Sequence, residues 1–208
     1  MLVLGIDTST PAVSVALVRR GELVLAESVV VDARRHGELL AQGIRDVLTR
    51  AGVRRTELDA VAVGLGPGPF TGLRVGIVTA ATTADALDIP SYGICSLDAL
   101  GSGPRVAVTD ARRREVYWAR YDESGTRCEG PAVGPPAALA AQWQGLRVVG
   151  EGAHVHAAAF AGLDVQDEPR YPSASLIAEL AGDPAPLVPM YLRRPDAETP
   201  GPPKRVTA

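Results

Sequence analysis

The first thirty residues carry three apolar segments separated by short polar breaks. Leu2 to Ile6 is a continuous apolar run, and the polar turn Asp7 to Pro11 interrupts it. Between residues 13 and 17 apolar residues alternate with smaller or polar ones, as in a half-buried strand, and residues 23–31 form the third segment. The pattern therefore predicts a meander of three antiparallel strands joined by short loops.

The hydrophobic pattern changes at His36 from the period of a strand to that of a helix. Helical spacing continues to Gly52, which supplies a terminator, so we predict a helix over 36–51. A short central strand over 60–63 follows. A second helix is predicted over 71–87, and we expect it to be buried on more than one side because apolar residues surround its whole circumference. The apolar residues of the first helix are Leu39, Leu40, Ile44, Val47 and Leu48.

The second half of the chain has a looser pattern. A strand is predicted over 89–94, and the Gly-Ser-Gly-Pro segment 101–104 is the best candidate for a domain boundary. Beyond it the pattern predicts strands over 106–109, 116–121 and 146–149, and short helices over 137–144 and 173–181. Seven of the 17 prolines fall in 184–203, so the tail is predicted to be extended or partly disordered rather than helical.

Composition narrows the class of protein. The 208 residues are 46% hydrophobic, which excludes a disordered chain and permits a sizeable core. The net charge of −3, from 21 basic and 24 acidic residues, gives no overall basic field, so nucleic acid is expected to be bound only through a partner. Cys95 and Cys128 form no CxxC pair, and no apolar run reaches the roughly 18 residues of a membrane span. We expect a soluble, unprocessed, cytoplasmic protein.

A glycine- and proline-rich turn over 64–72 joins the central strand to the second helix. It is not a Walker A loop, because Leu73 and Arg74 stand where Lys and Ser or Thr are needed. Its third glycine, Gly72, comes one position too late for the dinucleotide-binding fingerprint. Its two prolines, Pro67 and Pro69, remove amide donors that a bound anion would need. A structural role as a rigid entry to the helix is favoured, and direct phosphate contact is the alternative.

Other polar residues allow two interpretations each. The Asp7-Thr8-Ser9 turn is typical either of a metal-bound phosphate site or of simple backbone capping, and both stay open. No metal site is predicted, since His36 has no second ligand one turn on and His154 with His156 lack a third ligand beside a segment, 150–153, that we interpret as a loop. Arg112, Arg113 and Arg114 are typical of a solvated turn. Neither a GxSxG elbow nor a Cys–His pair is present.

Four motifs together resemble one family of bacterial proteins. They are Ile-Asp-Thr-Ser-Thr-Pro-Ala-Val-Ser-Val-Ala-Leu at 6–17, Gly-Leu-Gly-Pro-Gly-Pro-Phe-Thr-Gly-Leu-Arg-Val-Gly at 64–76, Asp-Ala-Arg-Arg-Arg-Glu-Val-Tyr-Trp-Ala at 110–119 and Pro-Met-Tyr-Leu-Arg-Arg at 189–194. Over essentially its full length the chain resembles the TsaB (YeaZ) family. One departure is Pro69, where that family usually has Ser, and it bears on the capping of the second helix.

The resemblance implies an α/β protein with a two-lobed actin-like ATPase fold (ASKHA, RNase H-like), with mixed sheets and helices. It implies lobes over 1–102 and 103–190, followed by a Pro-rich tail over 191–208. It also implies a non-catalytic scaffold in the formation of threonylcarbamoyladenosine at position 37 of tRNAs that read codons beginning with A. The catalytic partner would be TsaD, which carries the metal-binding histidines, with TsaE as an ATPase subunit, and tRNA would bind only through the complex.

No cofactor or metal is expected, and a vestigial nucleotide site would consist of Asp7, Thr8, Ser9, Gly66 and Gly68. The alternative is a stand-alone enzyme, either a nucleotide-dependent phosphotransferase or a glycoprotease-like peptidase. Calorimetry with ATP and magnesium and assays for turnover by the chain alone separate the two classes.

The two predicted helices also suggest a partner surface. A sheet can cover only one side of such a pair, and small residues spaced by four on the second helix permit close approach of another helix. We expect a homodimer of the chain alone, with the TsaD partner competing for the same face, and expect Ala80→Arg to give a folded monomer that no longer activates its partner. The predicted interface residues are Leu39, Leu40, Ile44, Val47, Leu73, Gly76, Ile77, Ala80 and Ala84.

Overall fold

The computed structural model describes residues 1–182 and 186–193 and contains two five-stranded sheets. In the first sheet the strand order is β3-β2-β1-β4-β5. The first three strands pair antiparallel, which confirms the predicted meander, and β1, β4 and β5 pair parallel to one another. The strands are β1 (Leu2–Asp7), β2 (Ala12–Arg19), β3 (Leu23–Val31), β4 (Ala60–Gly64) and β5 (Ser91–Ile94).

The second sheet repeats the topology of the first. Its order is β8-β7-β6-β9-β10, again with an antiparallel meander on one side and two parallel strands on the other. This duplication confirms the two-lobed actin-like fold. The strands are β6 (Arg105–Asp110), β7 (Val116–Tyr121), β8 (Arg127–Gly134), β9 (Arg147–Val149) and β10 (Asp164–Val165). Two of them, β8 and β10, were not predicted: β8 is interrupted by a Gly-Pro pair, and β10 has only two residues.

The two long helices have the predicted bounds to within one residue. Helix α1 (His36–Ala51) ends at Gly52 with a φ of 66°, and α2 (Phe70–Leu87) ends at Asp88 with a φ of 54°. The second lobe has shorter helices at the equivalent places, α3 (Pro136–Ala140) and α4 (Glu151–Val155). The predicted helix over 137–144 is therefore shorter than expected and continues as a 3-10 turn, and the predicted loop over 150–153 is wrong, since these residues enter α4.

The first sheet is covered on both faces. Helices α1 and α2 cover one face, where Leu4, Ile6, Leu40 and Leu73 belong to one core cluster. The other face is covered by α5 (Ala174–Glu179), which packs on Val3, Ala16 and Ala62. The chain thus returns to the first sheet after completing the second. The proposed division into 1–102 and 103–190 stays a prediction, and α5 is the segment that departs from it.

A buried arginine fixes the segment between the two sheets. The guanidinium of Arg105 donates to the carbonyl oxygens of Leu100 at 2.7 Å, Gly103 at 2.8 Å and Asp98 at 3.0 Å. It also lies 3.8 Å from the centre of the Tyr121 ring, and the Tyr121 hydroxyl donates to the Asp98 carboxylate. The predicted boundary at 101–104 is therefore a tightly bound turn.

Among residues 1–182 and 186–193, no helix combines the length and the apolar composition that a membrane crossing needs. Most of the predicted Pro-rich tail, from residue 194 onward, lies outside the described residues.

Candidate functional site

The carboxylate of Asp7 lies at the carboxyl end of β1 and is 1% exposed. Its Oδ1 accepts from the Ser9 amide at 2.9 Å and from the Ser9 hydroxyl at 2.7 Å, while its Oδ2 accepts from the Ser96 hydroxyl at 2.6 Å. Burial raises the pKa of Asp7 above its ordinary value, although the bonds from Ser96 and Ser9 act in the opposite direction. Both carboxylate oxygens are therefore already bound by the chain itself.

The glycine-rich turn packs directly on this Asp7 site. A Cβ on Gly64 would come within 2.5 Å of the Ser96 hydroxyl, and a Cβ on Gly72 would come within 2.6 Å of the Thr8 carbonyl. The Thr8 hydroxyl donates to the Gly72 carbonyl at 2.8 Å, so the two segments are joined as well as touching. The missing side chains make this close approach possible, because any Cβ there would overlap the neighbouring turn.

The structure brings the five predicted nucleotide-site residues together, but it buries all of them. The Gly66 amide donates to the Ser96 hydroxyl at 3.1 Å, and a Cβ on Gly68 would overlap the Ser9 carbonyl. The Gly66 amide, a donor of the kind that binds phosphate, and the Asp7 carboxylate, which could bind a phosphate's metal ion, thus hold the turn closed. Ser96 completes this network. Sequence analysis did not identify it, since a single Ser after a strand carries no pattern.

A cleft of about 420 Å³ lies between the two lobes, beside this buried network. The first lobe contributes the start of α1, with His36, and the start of α2, with Thr71. The second lobe contributes Asp110 and Arg112 from the β6–β7 turn, together with Glu151 from α4. Polar and charged groups of both lobes therefore line the same cleft.

The C-terminal segment 186–193, which we call the strap, ties the two lobes together next to the cleft. The Met190 amide donates to the Leu65 carbonyl at 2.8 Å, and the Tyr191 ring stacks on Phe70 with centroids 5.3 Å apart. Two residues later, Arg193 donates to the Ala111 carbonyl at 2.8 Å and pairs with a glutamate, Glu115. The four motifs of the sequence thus converge around one cleft.

The β6–β7 turn has an unusual backbone. Arg112, Arg113 and Arg114 have φ values of 61°, 51° and 62°, a left-handed conformation that is unfavourable for residues other than glycine. The Ala111 amide donates to the Glu115 carbonyl at 2.9 Å, which closes the turn. All three arginines are exposed, so the turn presents a row of guanidinium groups to solvent.

The histidines bind neighbouring groups of the chain. His36 Nε2 donates to the Thr10 carbonyl at 2.9 Å, and His154 Nε2 donates to the Gln166 carbonyl at 3.1 Å. His156 Nε2 lies 3.1 Å from the Asp110 carboxylate. Within the described part of the chain, no three His, Cys, Asp or Glu side chains form a group that could hold a metal ion. The expected absence of a metal stays a prediction for elemental analysis.

Most of the predicted partner-interface residues lie inside this chain, and the interface itself stays a prediction. All but one are buried, and Leu40, Val47, Leu73 and Ala80 are 1% exposed or less. Apart from Ile44, which reaches the surface, they lie between α1, α2 and the first sheet and offer little surface to a second chain. Apolar residues surround α2 in the sequence, so the sequence alone does not show which side the sheet covers. The buried residues are Leu39, Leu40, Val47, Leu73, Gly76, Ile77, Ala80 and Ala84, with Ile44 half-buried.

The outward side of the same two helices exposes mostly other residues, and Ile44 is the one that both sets share. A groove of about 490 Å³ runs between α1 and α2, with Ala41, Ile44 and Leu48 on one wall and Thr79 and Thr83 on the other. Val78, an apolar residue on the outward side of α2, is 57% exposed. Apolar and threonine side chains, with Arg45 and Arg55 beside them, thus line an open surface on α1 and α2.

Comparison with known proteins identifies similar chains. The family model described as TsaD, tRNA N6-adenosine threonylcarbamoyltransferase, matches residues 24–176, which is more than half of the chain. A protein of Mycobacterium tuberculosis (strain H37Rv) without a functional name is 53% identical over 203 residues, which are 94% of this chain and 93% of that protein.

Named relatives are more distant. The tRNA threonylcarbamoyladenosine biosynthesis protein TsaB of Escherichia coli (strain K12) is 38% identical over 135 residues, or 60% of this chain and 58% of that protein. The solved structure of YeaZ from Pseudomonas aeruginosa superposes with a TM-score of 0.77 at 30% identity, covering 91% of this chain and 99% of that one.

Proposed function

Because this chain belongs to the TsaB (YeaZ) family, we propose that it is a non-catalytic subunit that pairs with a TsaD-like catalytic subunit. Together they would form threonylcarbamoyladenosine at position 37 of tRNAs that read codons beginning with A. The name of the Escherichia coli relative supports this role, since it places that protein in the biosynthesis of the same modified nucleoside.

The observation that carries the non-catalytic role is the closed Asp7 network. In this fold a nucleotide would need the turn after β1 and the glycine-rich turn to face open space, and here they face each other. Asp7 and the Gly66 amide share Ser96 as a partner, so neither is free for a phosphate or its metal. Catalysis would then depend on a partner chain that has its own site.

The outward surface of α1 and α2 supports the pairing. Ala41, Ile44 and Thr79 line an open groove there, and Val78 is exposed beside it. Soluble chains seldom leave such a helix pair uncovered. The TsaD-like subunit and a second copy of this chain would compete for this surface, so the chain alone would be a homodimer. A TsaE-like ATPase would join the assembled pair in the cytoplasm.

Co-expression with the TsaD-like subunit of the same organism tests the proposal. The chain is expected to co-purify with it and to stimulate tRNA modification, and Val78→Arg is expected to abolish both. Val29→Arg is the matched control, because Val29 is 50% exposed on the edge strand β3, away from this surface. Co-purification of the Val78 variant at normal yield would contradict the proposed surface.

Assays on the chain alone test its non-catalytic status. Calorimetry with ATP and magnesium is expected to give a dissociation constant weaker than about 1 μM, the affinity that corresponds to about −8 kcal/mol. Turnover of ATP, or cleavage of a peptide, by the chain without its partner would instead support the stand-alone enzyme.

A further inference from the structure

Arginines outnumber carboxylates around the mouth of the cleft, on the turn and the helix starts that form it. Asp110 is already bound by His156 at 3.1 Å and by the Arg112 amide at 3.2 Å, and Glu115 is paired with Arg193. The third carboxylate, that of Glu151, lines the cleft from α4. Two of these three carboxylates, those of Asp110 and Glu115, therefore already have partners within the chain.

Three of the arginines at the same place have no carboxylate partner, and a fourth has only a distant one. Among the residues that the structure describes, Arg34, Arg74 and Arg114 make no ion pair within 4.0 Å, and Arg112 lies at that 4.0 Å limit from Asp110. Arg34 and Arg112 line the cleft from opposite lobes. Guanidinium groups on both sides of an open cleft favour an anion with several charges spaced along it.

An exposed aromatic pair lies beside these arginines. Phe70 is 47% exposed and Tyr191 is 39% exposed, and Arg74 lies 3.9 Å from the centre of the Phe70 ring. Phe70 stands between Pro69 and Thr71, which both line the cleft. Large aromatic side chains are expensive to leave in water, so their exposure at a charged cleft indicates a ligand with flat surfaces.

The strap holds the aromatic pair and the arginine turn in one patch. Tyr191 contacts Phe70 and Arg74, whereas Arg193 binds the Ala111 carbonyl at the base of the turn. Since Tyr191 and Arg193 are two residues apart, their Cα atoms are within about 7 Å of each other. The strap thereby fixes the distance between the rings and the guanidinium groups.

We propose that this patch, formed by Arg34, Phe70, Arg74, Arg112, Arg114 and Tyr191, binds an unpaired segment of RNA. Phosphates would contact the arginines, and a base would stack on the aromatic pair, which is the combination that proteins use for single-stranded nucleic acid. The proposal rests on the proposed function, because the substrate of that assembly is a tRNA. It adds that this chain contacts the RNA itself, through local charge rather than an overall basic field.

An acidic protein segment would also fit arginines, but it would make little use of the aromatic pair. Stacking on an open ring requires a planar group, and every nucleobase offers one. Arg112 and Arg114 also project separate charges from a single turn, which suits neighbouring phosphates.

The test measures binding of the full chain to a fluorescein-labelled RNA hairpin with an unpaired loop, by fluorescence anisotropy at several salt concentrations. Arg112→Asn with Arg114→Asn removes two charges, and Asn tolerates the left-handed backbone of the turn. The double variant is expected to bind about tenfold more weakly. Its salt dependence, the slope of log K against log salt, should be lower by about 1.4, since each contact with a single-strand phosphate contributes about 0.7.

The matched control is Arg19→Asn with Arg54→Asn, which removes the same charge at the opposite end of the first sheet, where Arg19 pairs with Leu2. It should leave RNA binding unchanged. A third variant, Phe70→Leu, should weaken binding about tenfold, because loss of one base–aromatic stack has an effect of this size. It should not change the salt slope. Circular dichroism of each variant verifies that it is folded.

Several outcomes would overturn the inference. These are no binding at low salt, equal losses in the double variant and the control, or displacement of RNA by polyglutamate at equal charge concentration, which would favour an acidic protein partner. Co-purification with the TsaD-like subunit separates the two proposals. The arginine variant should still assemble with it, so loss of RNA binding alone tests the patch, and failure of the wild-type chain to assemble tests the proposed function.

Discussion

The hydroxyl of Ser96 donates to the carboxylate of Asp7 at 2.6 Å, joining two residues that are 89 positions apart in the chain. Ser96 also accepts from the Gly66 amide at 3.1 Å. One hydroxyl thus links the end of β1, the glycine-rich turn and the 3-10 turn that follows β5. Because all three segments meet there, the residues that resemble a nucleotide site serve instead to hold the first lobe together.

Ser96→Ala should destabilise the chain by about 2–3 kcal/mol. The substitution leaves the Asp7 carboxylate with one fewer donor and the Gly66 amide without an acceptor, and unsatisfied buried polar groups cost about 1–3 kcal/mol each. Urea denaturation followed by circular dichroism measures the change. The control is Ser28→Ala on β3, since Ser28 is half-buried and its hydroxyl makes no hydrogen bond shown among the described residues; it should cost a few tenths of a kcal/mol. Equal effects of the two substitutions would contradict the network.

Asp7→Asn should change the pH dependence of stability. Burial raises the pKa of Asp7 in the folded state above the ordinary value of 3.8, so the folded chain binds more protons than the unfolded chain over the interval between the two values. The contribution of Asp7 to the free energy of unfolding therefore falls as the pH rises through that interval. Relative to the wild type, the Asn variant should become more stable from about pH 3.8 upward.

Urea titrations at several pH values measure that difference. Asp85→Asn, which removes an exposed carboxylate from α2, controls for the change in net charge. The prediction is contradicted if the free energy of unfolding of Asp7→Asn falls relative to that of the wild type as the pH rises. That result would show that the folded chain stabilises the charged carboxylate.

Sequence analysis could predict the two long helices and the meander because each follows a periodic pattern over many residues. It could not predict β8, since Gly130 and Pro131 interrupt the pattern, although pairing with β7 stabilises the strand there. It also could not orient α2, because both Val78 and Ala80 are apolar, and only the position of the sheet decides that one is exposed and the other buried.

The candidate site was predicted in part. The turn at Asp7 and the glycine-rich turn are sequence motifs, so their residues could be named in advance. Their mutual burial depends on close approach between segments about sixty residues apart, which no local pattern shows. The same applies to the strap, where the contacts of Tyr191 with Phe70 and of Arg193 with Ala111 depend on the fold of both lobes.

Pro69 leaves the start of α2 without a side-chain cap. It occupies the N-cap position with a φ of −63° and a ψ of 137°, and no side chain accepts from the first amides of the helix. Pro69→Ser and Pro69→Ala both lose the rigidity of proline, but only Ser can accept a hydrogen bond from the amides of the first turn. The Ser variant should therefore be more stable than the Ala variant by about 1 kcal/mol, as measured by thermal and urea unfolding. Equal stability of the two variants would mean that the amides of the first turn are satisfied in another way.

Two arginine substitutions on α2 should have opposite effects on the fold. Ala80 is 0% exposed, so Ala80→Arg forces a long charged side chain into the core and should cost more than about 3 kcal/mol or prevent folding. It would not give the folded monomer expected from the sequence. Val78 is 57% exposed, so Val78→Arg should change the free energy of unfolding by no more than about 0.5 kcal/mol. Urea denaturation of both variants, with soluble yield as a second measure, tests this. A stable, soluble Ala80→Arg chain would mean that α2 presents its other side to solvent.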